Sequence, residues 1–278
     1  MTIKTLFSIE GKVAIVTGGS RGIGEMIAQG LIESGVKTYI TARNEAELNQ
    51  TAAALTALSE SGSNLQGVQC IPVVADLSTM AGISQFADVI KSSESHIDIL
   101  INNAGAAWGE KFEDFAEAGW DKVMNLNAKA PFFVIQQLLD LLKASGSKQD
   151  PARVINIASI NALSHPRMNN YSYAASKAAV VQMTRHLAGD LVKDHININA
   201  IAPGFFLSKM TKFAVENQDE ATFAKKMVPM ERLGNADDIA GSVIYLCSRA
   251  SAWVTGHTLV LDGGVIASSG YGDYGGFV

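Results

Sequence analysis

Seven short runs of apolar residues recur along this chain, and longer stretches with helical spacing separate most of them. The runs lie at residues 12–17 (KVAIVT), 37–42, 68–75, 97–101, 154–159, 196–201 and 259–262. Continuous apolar runs of this length suit strands buried on both faces, and helical crossovers between them imply parallel pairing. The expected fold is therefore a single-domain α/β doubly wound Rossmann fold, a seven-stranded parallel sheet with helices on both faces. Helices are expected after residue 24, over 45–58 and over 115–143, the last broken near Pro131 because proline has no N–H for the helix ladder. The polar stretches 59–67 and 144–151 read as surface loops. No internal repeat or second boundary interrupts the alternation, so 1–278 is expected to be one domain, with 205–230 a lid and 265–278 a tail.

The first strand runs into Gly18-Gly-Ser20-Arg21-Gly22-Ile23-Gly24. A glycine-rich turn between a first strand and a first helix lets backbone approach a pyrophosphate, and the helix N-terminus offers unpaired N–H groups. The spacing is Gly-x-x-x-Gly-x-Gly and not the commoner Gly-x-Gly-x-x-Gly, so an ordinary tight loop is the alternative. Some twenty residues on, the second strand ends in Thr41-Ala42-Arg43, with no acid until Glu45. An acid there would accept from a free ribose 2′-hydroxyl, whereas Arg43 and Arg21 suit a 2′-phosphate. NADP(H) is the expected cofactor, against the alternative that Arg43 is a solvated strand-end charge and Arg21 covers the loop.

Between 154 and 180 the chain reads VINIASINALSHPRMNNYSYAASKAAV. Tyr173 and Lys177 are four apart on a helix and so share a face. A cation beside a phenol favours the phenolate and is expected to lower its pKa from about 10. Such a tyrosine can exchange a proton with an alcohol or carbonyl oxygen, and Ser159 can donate a second hydrogen bond to that oxygen. Tyr-x-x-x-Lys alone is also what a helix with a core Tyr and an exposed Lys looks like.

A formal net charge of −5 gives no electrostatic reason to expect nucleic acid or an anionic membrane as partner. Cys70 and Cys247 lie in apolar surroundings without metal or redox spacing, which suits a reducing compartment. The N-terminal MTIKTLFSIEGK has no signal-peptide apolar stretch and no run is long enough to span a membrane, so a cytoplasmic location is expected. The five histidines show no ligand spacing, so no metal is expected.

Thr17-Gly-x-x-x-Gly-x-Gly24, Asn102-Asn-Ala-Gly105, Asn127, Ser159, Tyr173-x-x-x-Lys177 and Pro203-Gly204 occur in this order. Together they resemble the short-chain dehydrogenase/reductase family, from about residue 11 to 264. Within it, IAPGFF (201–206) and the stretch 229–264 resemble the 3-oxoacyl-acyl-carrier-protein reductases, including the rhamnolipid-type branch. The resemblance implies a catalytic set of Asn127, Ser159, Tyr173 and Lys177. Tyr173 is then the acid/base group, and Lys177 lowers its pKa and holds the nicotinamide ribose. Asn127 positions a water that links Lys177 to solvent, with Asn125 as competitor; Tyr171 competes with Tyr173 but lacks the lysine. It also implies cofactor contacts from Gly18, Ser20, Arg21, Gly22, Ile23, Gly24, Arg43, Asp76, Leu77, Asn103, Ala104, Gly105, Pro203, Gly204 and Ser208. Ser208 stands where the family usually has Thr.

Residues 205–230 carry Phe205, Phe206, Met210, Phe213, Phe223, Met227 and Met230. They either line an apolar groove for an acyl or ring substrate or merely dock the lid on the core. His165, in the loop before Tyr173, is a surface histidine or a substrate contact. The expected activity is reduction of a ketone, with a 3-oxoacyl thioester as substrate and acyl carrier protein as a partner. The alternatives are a dehydrogenase of another secondary alcohol (steroid, sugar or small ketone) and a non-catalytic nucleotide-sensing scaffold. The family resemblance implies a homo-oligomer, tetramer or dimer.

Overall fold

Valine, isoleucine and leucine dominate the seven runs, and every run forms a strand. The structure is a computed structural model and describes residues 2–60, 67–164, 168–206 and 219–268. A short helix, α1 (Ile3–Phe7), precedes β1 (Val13–Thr17), α2 (Gly22–Glu33), β2 (Lys37–Ala42), α3 (Glu45–Glu60), β3 (Cys70–Val74), α4 (Met80–Ser93) and β4 (Ile99–Asn102). Then come α5 (Glu117–Met124), α6 (Ala130–Gln137), α7 (Leu139–Ser145), β5 (Ala152–Ile157), α8 (Tyr171–Leu191) and β6 (Ile196–Pro203). The described chain ends with α9 (Glu220–Met227), α10 (Ala236–Cys247), β7 (Thr258–Leu261) and α11 (Val265–Ser268).

The sheet order is β3-β2-β1-β4-β5-β6-β7, and every pairing is parallel. Side chains alternate along each strand and divide the interior in two. Ala14, Val16, Ile99, Ile101, Ile155 and Ile157 join residues of α2, α3 and α10 in one buried cluster. Val13, Ile15, Leu100 and Val154 join α4, α6, α7 and Ala188 of α8 in another, on the opposite face. Burial on both faces explains why the central strands β1 and β4 show no polar alternation. The order reverses between β1 and β4, and a crevice opens there at the C-terminal ends of the strands.

The stretch expected as one helix broken near Pro131 is built differently. Pro131 cannot donate to the carbonyl of Asn127, and the backbone widens into a π-turn over Asn125–Lys129 immediately before α6. The helix itself is interrupted at Leu138, whose φ of −98° and ψ of 7° depart from helical values. Of the expected lid, Phe205, Phe206 and 219–230 are described. Ser208, Met210, Phe213, His165 and residues 269–278 lie outside the described residues.

Candidate active site

One cleft of about 1030 Å³ runs across the strand ends. Its floor is the turn after β1. Gly18 has φ +67°, and a Cβ there would come within 2.9 Å of Ala104 Cα; one on Gly24 would fall 2.2 Å from the Gly18 carbonyl oxygen. No other residue type lets this turn close on itself and expose its N–H groups at the start of α2. Asn103 holds the turn in place, its Nδ2 donating to the carbonyls of Thr17 (2.9 Å) and Gly18 (3.0 Å). The Thr17 hydroxyl accepts from the backbone of Asn103 at 2.9 Å and Ala104 at 3.0 Å, so the ends of β1 and β4 are fixed together. Gly18, Ser20, Arg21, Gly22, Ile23, Gly24, Asp76, Leu77, Asn103, Ala104 and Gly105 all line the cleft. This narrow glycine cradle at a helix N-terminus fits a dinucleotide pyrophosphate.

Arg21, Arg43, Asn44 and Glu47 line the end of the cleft beside β2. Arg43 is exposed. Arg21 Nη1 lies 3.4 Å from Glu47 Oε2. An acid joins the two expected cations at this end: the first turn of α3 carries the Glu47 carboxylate back to the glycine loop. Asp76 accepts from the Ser78 hydroxyl (2.7 Å) and N–H (3.0 Å). Burial works against its charge, but those hydrogen bonds and Arg43 hold its carboxyl below the usual range.

At the other end, Ser159 follows β5 and Tyr173 and Lys177 rise from the first two turns of α8. A buried polar chain sets that helix against the sheet. Asn102 Nδ2 donates to Asn156 Oδ1 at 2.9 Å, and Asn156 Nδ2 donates to Thr184 Oγ1 at 2.9 Å. Lys177 Nζ donates to the Ile157 carbonyl at 2.6 Å and lies 5.7 Å from the Tyr173 ring centroid. Burial lowers the Lys177 ammonium to about 8. The Tyr173 phenol does not show the lowered pKa expected of it: burial pushes it up, and the hydrogen bond with Ser159 only partly opposes this. Desolvation penalises each charged form, so the acid rises and the base falls.

Asn127, and not Asn125, is buried at this end. Its Oδ1 accepts from Ala106 N–H at 2.8 Å, while its Nδ2 donates to Ala106 O at 2.9 Å and Ser176 Oγ at 3.0 Å. The amide therefore braces the loop after β4 against α8. Tyr171 is exposed, with its hydroxyl 3.4 Å from Asn169 Oδ1, and its ring packs on Phe112 and Phe115. Sequence reasoning did not find Ser176, which donates to the Tyr173 carbonyl at 2.7 Å and accepts from Asn127. Its only signal is a hydroxyl in mid-helix, where propensity disfavours one.

Pro203 and Gly204 line the cleft beside Phe206. Phe206 is nevertheless buried, packed on Gly234, whose added Cβ would meet the ring at 2.5 Å. Phe205 meets Phe223 edge-on at 5.5 Å, and Phe223, Ala224, Val228 and Leu233 form a small core. These described lid aromatics dock the segment, whereas Met227 and Met230 are exposed.

Residues 18–266 match a family described as Enoyl-(Acyl carrier protein) reductase. The rhamnolipids biosynthesis 3-oxoacyl-acyl-carrier-protein reductase of Pseudomonas aeruginosa is 43% identical over 93% of this chain and 97% of that protein. The 2-dehydro-3-deoxy-D-gluconate 5-dehydrogenase of Escherichia coli is 36% identical over 95% of this chain and 99% of its own length. Among solved structures, the Pseudomonas aeruginosa RhlG/NADP active-site complex superposes with a TM-score of 0.86, at 43% identity, over 94% of this chain and 98% of that one. The L-sorbose reductase of Gluconobacter frateurii, complexed with NADPH and L-sorbose, gives 0.84 at 27% identity, over 94% of this chain and 98% of that one. With its glycine cradle, its Ser159, Tyr173 and Lys177 on one cleft and these relatives along nearly its whole length, the chain belongs to the short-chain dehydrogenase/reductase family and is an oxidoreductase.

Proposed function

We propose that this enzyme is an NADPH-dependent carbonyl reductase whose substrate is a 3-oxoacyl thioester. The cofactor is NADP(H): the RhlG complex and the sorbose reductase complex hold it, and Arg21 and Arg43 supply cations at the end of the cleft beside β2. When bound, it supplies the hydride. The observation that carries the reaction type is that Ser159 and Tyr173 meet at one end of that same cleft.

There, the substrate oxygen accepts hydrogen bonds from both hydroxyls, and Tyr173 gives it a proton as negative charge develops. Burial keeps the phenol protonated, which suits a general acid for reduction. Lys177 would hold the ribose hydroxyls of the bound cofactor and resupply the proton to Tyr173, and Asn127, which braces the loop after β4 against α8, would position a water that links Lys177 to solvent. Asn103, Ala104, Gly105, Pro203 and Gly204 line the cleft and would hold the nicotinamide end of the cofactor. We take the protein to be a cytoplasmic homo-oligomer that meets its substrate on acyl carrier protein.

A second reading, reduction or oxidation of a sugar or sugar acid, draws support from Lys122. This cation lines the cleft and lies 5.1 Å from the Trp108 ring centroid, where it could hold a carboxylate. Rates of NADPH oxidation with 3-oxoacyl thioesters of increasing length, set beside keto-gluconates and sorbose, separate the two. For the thioesters kcat/KM should rise about fourfold per methylene, the equivalent of about 0.8 kcal/mol, until the groove is filled. Indifference to length together with turnover of the sugars would reject the acyl substrate.

A further inference from the structure

We propose that Glu47 is a specificity-determining residue whose carboxylate occupies Arg21 and so moderates the preference for a cofactor bearing a 2′-phosphate. The inference rests on the NADP(H) reading above and concerns how strongly the site exerts that preference.

Two contacts tie α3 to the glycine loop. The Thr51 hydroxyl donates to the Ser20 carbonyl at 2.9 Å, and Arg21 Nη1 lies 3.4 Å from Glu47 Oε2. Asn44 Oδ1 accepts the Glu47 N–H at 3.1 Å, fixing where the helix starts and hence where the carboxylate stands. The Glu47 side chain is a quarter exposed and that of Arg21 59% exposed, so the acid is the more confined partner. Its field also reaches Glu25 on α2, whose carboxyl is raised first by burial and then by Glu47.

Arg21, Arg43, Glu47 and Asp76 all line the cleft, and their formal charges cancel. A phosphate monoester brings a charge of about −1.5 to −2. On reaching Arg21 it meets a guanidinium that already serves a carboxylate, and it must share or displace that acid with like charge nearby. A cofactor with a free 2′-hydroxyl faces no such competition. The chain therefore discriminates less than two uncommitted arginines would.

The test is calorimetric binding of NADP⁺ and NAD⁺ to the wild type and to Glu47→Gln, which keeps the side chain's length and helix propensity. The ratio of NAD⁺ to NADP⁺ dissociation constants should rise about threefold to tenfold in the variant, through tighter NADP⁺ binding. The same substitution on an Arg21→Gln background should leave the ratio within twofold, because the guanidinium whose competition is proposed is then gone. Equal changes for both cofactors, or weaker NADP⁺ binding in Glu47→Gln, would overturn the role of Glu47 and leave the cofactor reading intact. A wild type that binds NAD⁺ but not NADP⁺ would overturn the cofactor reading itself.

Discussion

The two ends of the cleft handle charge in opposite ways. Beside β2, Arg21 and Arg43 are open to water and Arg21 is balanced by an acid across 3.4 Å. Beside α8, Lys177 is 5% exposed, its ammonium bonded to a backbone carbonyl, and no carboxylate balances it among the described contacts. Exposed ion pairs are screened and contribute about 0–1 kcal/mol, whereas a buried charge alters both protonation and stability. Charge at the outer end is therefore open to screening, whereas at the inner end burial sets the protonation of Tyr173 and Lys177.

The sharpest way to break that contrast is at Tyr173. Tyr173→Phe keeps the ring and removes only the hydroxyl that faces Ser159. Loss of a general acid should reduce kcat by about 10²–10⁴-fold while the affinity for NADP⁺ changes little. Tyr171→Phe, in an exposed ring cluster, should cost less than twofold. Comparable losses in the two variants, measured by NADPH oxidation, would remove Tyr173 from its role.

Lys177 tests the inner end through stability. Its pKa falls from 10.5 in the unfolded chain to about 8 in the native state. Between these values the unfolded chain binds more protons, so this group adds stability as pH rises from about 8 to 10.5, and its full cost is present below about 8. The span corresponds to roughly 3 kcal/mol. Cys70, Cys247 and Tyr173, all raised by burial, favour the unfolded state in alkali, so the wild-type curve alone mixes opposing slopes. Lys177→Met should be the more stable protein near pH 7, and its advantage should shrink across that window. Parallel curves of unfolding free energy against pH for the two proteins would show that the ammonium is not strained by burial.

Legibility differed between the two ends for physical reasons. The sheet could be read because strands covered on both faces must be apolar throughout, as Ala14 to Val16 and Val154 to Ile157 are, apart from Asn156. Tyr173 could be told from Tyr171 because helical spacing alone places Lys177 beside one of them. The Arg21–Glu47 contact joins residues 26 apart through the packing of α3 on the glycine loop, which no local pattern encodes. Phe206 reads equally well as groove lining or core, and the structure makes it both, buried against Gly234 and bordering the cleft. Helical spacing shows that a lysine neighbours Tyr173 but not the depth of burial that raises the phenol's pKa.

The smallest effect belongs to the outer end, at Arg43. This side chain is exposed, and Arg21 remains as a second cation, so its loss cannot empty the site of positive charge. A charge-assisted hydrogen bond contributes about 1.5–3 kcal/mol, and exposure places this one at the lower limit. Arg43→Ala should therefore weaken NADP⁺ about tenfold and NAD⁺ less than twofold. Raising ionic strength should narrow the wild type's preference more steeply than the variant's, in which only Arg21 remains to be screened. Because Arg43 also helps hold Asp76 ionised, the variant's Asp76 carboxyl should titrate higher, a shift readable by NMR without any cofactor. An Asp76 signal that stays in place while NADP⁺ binding falls would confine Arg43 to the phosphate. An unchanged preference between the cofactors would transfer 2′-phosphate recognition to Arg21, and with it the whole selectivity of this end to the balance between Arg21 and Glu47.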